Sequence, residues 1–576
     1  MLYLIVVWIG LTLACYLAGL ALLHGFGADW LQRPSDRAIA ALWLGVVALA
    51  VSLLAVSLLF PLSPLVGGSV LLVWSGVAWL IPGLRHELRH GWQQLNKNWM
   101  VIFAAISLAA AAIISRPITW VDTGLYHYSV LQWLSRFGTV PGLALLLSNL
   151  GFTSSWFAFA APFNPPVLGA RAAAVANGFV LLLLLLQACI SLQRCLQPRD
   201  RPSDWFLLLF SLLLLPLLLG FRLLFEILVS PSPDLPVTVL TGILAWLVLL
   251  AADAKKGPFN QSIPAAAVPL FFASGIVTIK LVALPLLAVT ALFYLAQTKG
   301  QGRALWQGVV VVTVVLAPMM LASTITSGCP LYPSTRLCLN LPWSPEAASI
   351  KITAQKTHGW TSWYGAPPEG ANPLLWLIGK WLTDAKVNQV LALVVTSLAA
   401  GWLLSLRRWQ TSEFTGWGWV GAISAGGLTF LAGTAPFFRF AIAYVLVATA
   451  LLLALHGRHY WLALQSSLRE SRRHLFRVQF LAWLCCFFAA LTWGVYAGQE
   501  ARARLILPPP LRQVAVVEHR VNDWVYRSPA GDLCWATEIP CAFDVPDTVR
   551  LRSPENGLAD GFIRVPQKTA DSPASN

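Results

Sequence analysis

The segment TWVDTGLYHYSVLQWLSRFGTVPGLALLLSNLGF, Thr119 to Phe152, sets a short polar stretch between long apolar runs. It places a carboxylate, Asp122, where one apolar run ends. Ionisable groups at membrane depth are costly and tend to be kept for function. Only 24 of the 576 residues are Asp or Glu, so an acidic residue in this position asks for an explanation. After it, Tyr126, Val130, Trp133, Leu134 and Phe137 recur at helical spacing, and Gly138 follows as a C-terminal cap. The reading is an amphipathic helix in the membrane interface.

Working outward, composition fixes the class. Hydrophobic residues make up 57% of the chain, charged residues 11%, and the mean hydropathy is +0.69. Too little polar surface exists to cover a water-soluble domain of this size. The apolar runs span roughly 17 to 25 residues without period-two alternation, which predicts helices and not a barrel. About 14 candidate spans centre near Val7, Ala48, Val73, Leu108, Leu182, Leu212, Ala245, Phe271, Ala288, Val314, Ser397, Ser424, Val447 and Phe488. The expected fold is therefore an all-α polytopic membrane protein of about 13 to 14 transmembrane helices.

The net charge of +15 is distributed as a topology signal, so a nucleic-acid partner is not expected. Arg33 and Arg37, Arg85 to Lys97, Arg194 to Arg201, Lys255 and Lys256, Lys299 and Arg303, Arg407 and Arg408, and Arg458 to Arg477 occupy alternate loops. Those loops are predicted to face the cytoplasm. Residues 116–168, 221–236, 323–385 and everything after about 498 then lie outside. The N-terminal run has no basic n-region and reads as a first span that is not cleaved.

The chain divides into a transmembrane region, 1–498, and an extracytoplasmic region, 499–576. In the latter, the prolines at 508–510 stop the last helix and β-prone pieces such as VAVVEH follow. A small β-rich cap is expected, with a disordered end, QKTADSPASN. Two cysteine pairs fall in outside segments, Cys329 with Cys338 and Cys534 with Cys541, and read as disulfides. Neither pair has further His or Cys at ligand spacing, so no metal is indicated. Cys15 reads as a buried thiol.

Two roles are open for Asp122. It caps the following helix through a backbone N–H, or it serves as a general base or substrate ligand at the mouth of a membrane cavity. Outside cations available to an anionic ligand are Arg171, Arg222, Lys280, Arg336 and Arg439. Arg222 and Glu226 are one helical turn apart and suited to pair with each other. Lys280 interrupts a long apolar stretch, and it either snorkels or faces an anion. His127 is either a sugar ligand or a packed interfacial residue. Trp343, Trp360, Trp363 and Tyr364 suit sugar stacking and an interfacial aromatic belt alike.

An acidic residue opening the first large outside loop, with an interfacial helix after it and an aromatic four positions on, resembles the GT-C superfamily of membrane glycosyltransferases. DTGLY at 122–126 is similar to the Asp-Glu-x-x-Tyr signature of protein mannosyltransferases and aminoarabinose transferases, with Thr123 where the second acid would stand. A closer likeness is to a group of large bacterial membrane proteins related to that superfamily. Its blocks are matched by DTGLYH at 122–127, VPGL at 140–143, LGFTSSWF at 150–157, TIKL at 278–281, SGCPLYPS at 327–334, PFFRFAIAY at 436–444 and CWATEIPC at 534–541.

The resemblance implies a polyprenyl-phosphate-linked sugar donor, a glycan, lipid or protein acceptor, and a site on the outer face of the bacterial inner membrane. It implies Asp122 as general base, and the candidate substrate-binding residues on that side are Tyr126, His127, Arg222, Glu226, Lys280 and Arg439. It leaves the cofactor undetermined. A transporter, a polymerase or ligase of lipid-linked glycans, and a non-enzymatic envelope protein are the alternatives. A transporter would carry internal pseudosymmetry with broken spans at matched positions, which the sequence lacks.

Overall fold

The computed structural model describes residues 1–85, 87–88, 97–197, 201–254, 264–409, 416–467 and 504–565. Among these, ten helices are long and apolar enough to cross a membrane. They are Leu2–Gly25, Pro34–Ser57, Lys97–Ile114, Val175–Cys195, Pro202–Gly220, Asp234–Ala254, Leu281–Thr298, Gly302–Ser327, Lys386–Leu404 and Phe438–Gly457. The architecture suits a multi-pass membrane protein, and some of the predicted spans within the described residues are shorter than full length. Pro64–Leu80 and Ala267–Ile279 are helical and apolar but have only 17 and 13 residues, against the roughly 20 that a bilayer core requires. Trp417–Thr434 is helical too, its apolarity diluted by glycines. The span expected near Phe488 and the tail end QKTADSPASN lie outside the described residues.

Small residues set the tightest packing. Gly19 lies against the backbone of Ala41, and Gly45 against that of Cys15. The helices Leu2–Gly25 and Pro34–Ser57 therefore approach to backbone contact, an arrangement that small side chains permit between apolar helices. Cys15 is fully buried there. The Asp234–Ala254 helix runs through the centre of the bundle with its apolar residues buried all round.

Charge segregates to the two ends of the bundle. At one end Arg194 pairs with Asp36 and, at 3.3 Å, with Asp204, while Arg33 meets Asp204 at 2.7 Å and Arg37 meets Glu87 at 2.6 Å. The other end gathers the long connecting segments. The Thr139 N–H donates to the Ser57 carbonyl, that of Gly142 to Ile325, and that of Leu511 to Ala170.

The tail forms a small cap on the second end. Strands β1 (Val516–Val521) and β2 (Trp524–Pro529) make an antiparallel hairpin, with Val516 opposite Pro529 and Val521 opposite Trp524. Strands β3 (Val549–Leu551) and β4 (Phe562–Arg564) pair likewise. Disulfides join Cys534 to Cys541 and Cys329 to Cys338.

Candidate functional site

The chain leaves the Lys97–Ile114 helix, passes Trp120, and enters a π-helical turn, Thr123–His127, that runs on into the α-helix Tyr128–Arg136. Such turns are frequent at functional positions. Asp122 occupies the N-cap position but makes no side-chain capping bond. Its Oδ2 instead accepts from Nη1 of Arg439 at 3.0 Å. Of the two roles left open by the sequence, simple capping is therefore set aside.

Arg439 sits at the start of the Phe438–Ser467 helix, and its guanidinium lies over the rings of Phe440 and Trp120 at 4.9 and 5.2 Å. Both are cation–π distances. Its Nε reaches Oδ2 of Asp234 at 3.7 Å. The other Asp234 oxygen accepts from Lys280, whose Nζ stands 4.2 Å above the Phe440 ring. Asp122, Arg439, Asp234 and Lys280 thus form an alternating chain of four charges drawn from four distant segments. Two carboxylates balance two cations. Asp234, with its side chain 4% exposed, is the deepest member.

Local structure explains how Lys280 arrives there. The Ala267–Ile279 helix breaks at Lys280, which is extended (φ −158°, ψ 129°) before the short 3₁₀ turn Leu281–Ala283. The break exposes backbone carbonyls, and Ser154 Oγ donates to that of Ile279 at 2.7 Å. Ser155 and Thr278 hydroxyls bond alongside at 2.8 Å. The serines of LGFTSSWF thereby hold TIKL in place.

Above the charges lies a cavity of about 300 Å³ lined by residues from segments spread along the chain. Asp122 and Tyr126 come from the π-helical turn, Lys280 from the helix break, Tyr332 and Pro333 from the disulfide-closed segment after Gly302–Ser327. Lys356 and His358 come from the end of the Ala347–His358 helix, and Phe437 and Arg439 from the entry to the Phe438–Ser467 helix. A second cavity of about 290 Å³ adjoins it and shares Phe437 and Arg439 as its wall. Its lining is aromatic, from Trp120, Trp363, Tyr364, Trp381 and Phe438, with Asp384 and Asn388 as polar groups.

The remaining candidates separate clearly. Tyr126 is half-buried and lines the first cavity, packed edge-on against His127 and Phe157. Burial, and then the carboxylates of Asp122 and Asp234, raise its phenol well above the ordinary value, so it is a neutral donor. His127 is only 1% exposed, packs on Phe157 with ring centres 5.1 Å apart, and is not among the cavity residues. Burial pushes its pKa down to about 3, so the ring is neutral. Its Nδ1 and the Thr123 hydroxyl have no hydrogen-bond partner among the described residues.

Arg222 and Glu226 bond to each other at 2.9 Å, and neither lines either cavity. Their spacing is that of a surface pair on one helix, and the pairing is its physical cause. Arg171 donates to the Pro508 carbonyl at 3.3 Å and so anchors the cap connection. The amphipathic helix is not left lying on a surface. Tyr128 to Leu134 are all buried, and Gln132 Nε2 donates to the Thr537 carbonyl of the cap at 2.9 Å. Of the loop aromatics, Trp363 and Tyr364 reach the second cavity. Trp343 instead bonds the Thr324 carbonyl at 3.1 Å.

Sequence reading overlooked Asp234. The available signal was its place at the very start of an uninterrupted apolar run, PSPDLPVTVL, the same kind of position that drew attention to Asp122.

A family model described as a domain of unknown function (DUF8201) matches residues 1–446, and the chain belongs to that family. The match includes all four charged residues of the cluster and ends before the cap. Neither a curated protein nor a solved structure matches the chain.

Proposed function

We propose that the protein is a membrane glycosyltransferase that moves a sugar from a polyprenyl-phosphate donor to an acceptor hydroxyl at the outer face of a bacterial inner membrane. The observation that carries this reading is the Asp122–Arg439 ion pair standing between two cavities. A transfer reaction needs two substrates to meet at one set of groups, and Arg439, which lines both spaces, sets the Asp122 carboxylate of the first beside the wall it shares with the second. The first cavity, with Lys280 and Lys356 in its wall, suits the phosphate of the donor. The second, with flat aromatic faces and two polar side chains, suits a sugar-bearing acceptor.

Charge accounting supports the assignment of roles. Asp122 accepts the proton of the acceptor hydroxyl as its oxygen bonds to the anomeric carbon, and the bond from that carbon to the phosphate oxygen breaks. The leaving polyprenyl phosphate keeps the electron pair and gains one negative charge. At the same moment Asp122 becomes neutral, so Arg439 loses one of its two counter-ions and turns to the new charge. Asp234 keeps Arg439 and Lys280 in register throughout. Tyr126, a neutral phenol, donates a hydrogen bond to the substrate.

Purified protein incubated with labelled polyprenyl-phosphate sugars and candidate acceptors is expected to yield a glycosylated acceptor together with free polyprenyl phosphate. Failure to release polyprenyl phosphate from any such donor would count against the reading.

A further inference from the structure

The cap meets the Asp122 turn at Trp535. Trp535 lies in the loop closed by the Cys534–Cys541 disulfide, and its backbone N–H donates to the Gly124 carbonyl at 2.9 Å. Its ring covers Gly124 so closely that a Cβ there would stand 2.6 Å from the indole. Trp535 has φ 45°, a left-handed conformation rare for a bulky residue. Such a conformation persists only where surrounding contacts enforce it.

Those contacts continue along the helix that carries the site. Thr537 accepts from Gln132, and Glu538 pairs with Arg136 at 2.7 Å. Behind the loop, the Arg527 N–H donates to the Pro540 carbonyl at 3.0 Å and the Ala542 N–H returns to Arg527 at 3.1 Å, which fixes the loop to β2. A π-helical turn is a costly local departure from the α-helix and relies on tertiary support. Gly124 is the second residue of that turn, and Asp122 immediately precedes it.

We infer that the disulfide loop 534–541 is the positioning element of the Asp122 turn, with Trp535 as its positioning residue. The loop holds the π-helical geometry that delivers the Asp122 carboxylate to Arg439. This role goes beyond the proposed reaction and does not depend on it. It joins the site within the matched family region to a cap outside that region.

The test is carbodiimide labelling of carboxylates in the full-length protein, read residue by residue by mass spectrometry. Carbodiimides attack protonated carboxyl groups, so a carboxylate held against a guanidinium reacts slowly. In Trp535→Ala, labelling of Asp122 is expected to rise about five- to tenfold, the change in an opening equilibrium when one buried contact is lost. Trp535→Phe, which keeps a ring over Gly124, should restore most of the protection. Gly124→Ala, which leaves Trp535 intact but crowds it, should reproduce the rise. Asp36, at the opposite end of the bundle, reports on global unfolding. No rise at Asp122, or an equal rise at Asp36 in all variants, overturns the inference. Labelling requires no turnover, so a wild-type protein without transfer activity defeats the proposed reaction and leaves this result readable.

Discussion

Asp234 is the residue on which the charge cluster turns, because it pairs with both Lys280 and Arg439. Removing one partner of a buried ion pair leaves an uncompensated charge and costs about 3–5 kcal/mol. Asp234→Asn should therefore lower stability by that amount in thermal or denaturant unfolding, and adding Lys280→Met should recover much of the loss. A neutral outcome for the single variant would mean that the cluster is more hydrated than its burial implies.

His127 gives a pH-dependent signature at the same scale. Its folded pKa of about 3 lies below the ordinary value near 6.5, so the folded state binds fewer protons than the unfolded one between those limits. Its contribution is complete above pH ~6.5 and is lost as pH falls, by up to about 1.4 kcal/mol per unit. Relative to His127→Phe, the wild type should lose about 2 kcal/mol more between pH 7 and 5. Parallel unfolding curves for the two proteins would contradict this. Asp122, Lys280 and Arg439 were legible in the sequence because each charge interrupts apolar surroundings. The role of His127 was not, since adjacency to Tyr126 in sequence says nothing of which side of a π-helical turn it occupies.

The helix stripe from Tyr126 to Phe137 was legible as an element, and the π-helical turn before it was not. One extra residue in the turn rotates everything upstream by about 100° relative to a continuous α-helix. That rotation is invisible to a periodicity count, yet it decides where Asp122 points. The packing of this element against the cap depends on backbone approach. Gly142, at φ +73°, sits against the Phe562 carbonyl of β4, while the Phe562 N–H donates to the Pro141 carbonyl at 3.0 Å. Gly142→Ala adds a Cβ in a left-handed conformation and at a contact with no room, a cost of about 1–3 kcal/mol. A fall in melting temperature with increased proteolysis in the cap is the expected result. Unchanged melting would place the cap's anchorage elsewhere.

For the whole molecule, the apolar runs foretold the helices, and all thirteen predicted span centres within the described residues fall in them. What they missed was length, since hydropathy registers an apolar run whether or not it is long enough to cross. Under the proposed topology, single cysteines placed at Gly300 and at Gly531 should react with a membrane-impermeant thiol reagent from opposite sides of the membrane. Labelling of both from one side would refute it. The central claim is that the Asp122 carboxylate, paired with Arg439 between two cavities, carries group transfer. Its most direct test is the transfer rate of Asp122→Asn beside wild type, with a labelled polyprenyl-phosphate sugar and both proteins matched for folding. Asn matches Asp in size and keeps an oxygen that can accept from Arg439, whose second counter-ion Asp234 remains, and it cannot take a proton from an acceptor hydroxyl. The account predicts a loss of at least about 10²-fold in transfer, the scale of general-base catalysis, with the melting temperature nearly unchanged. Transfer retained by a folded Asp122→Asn protein would contradict it.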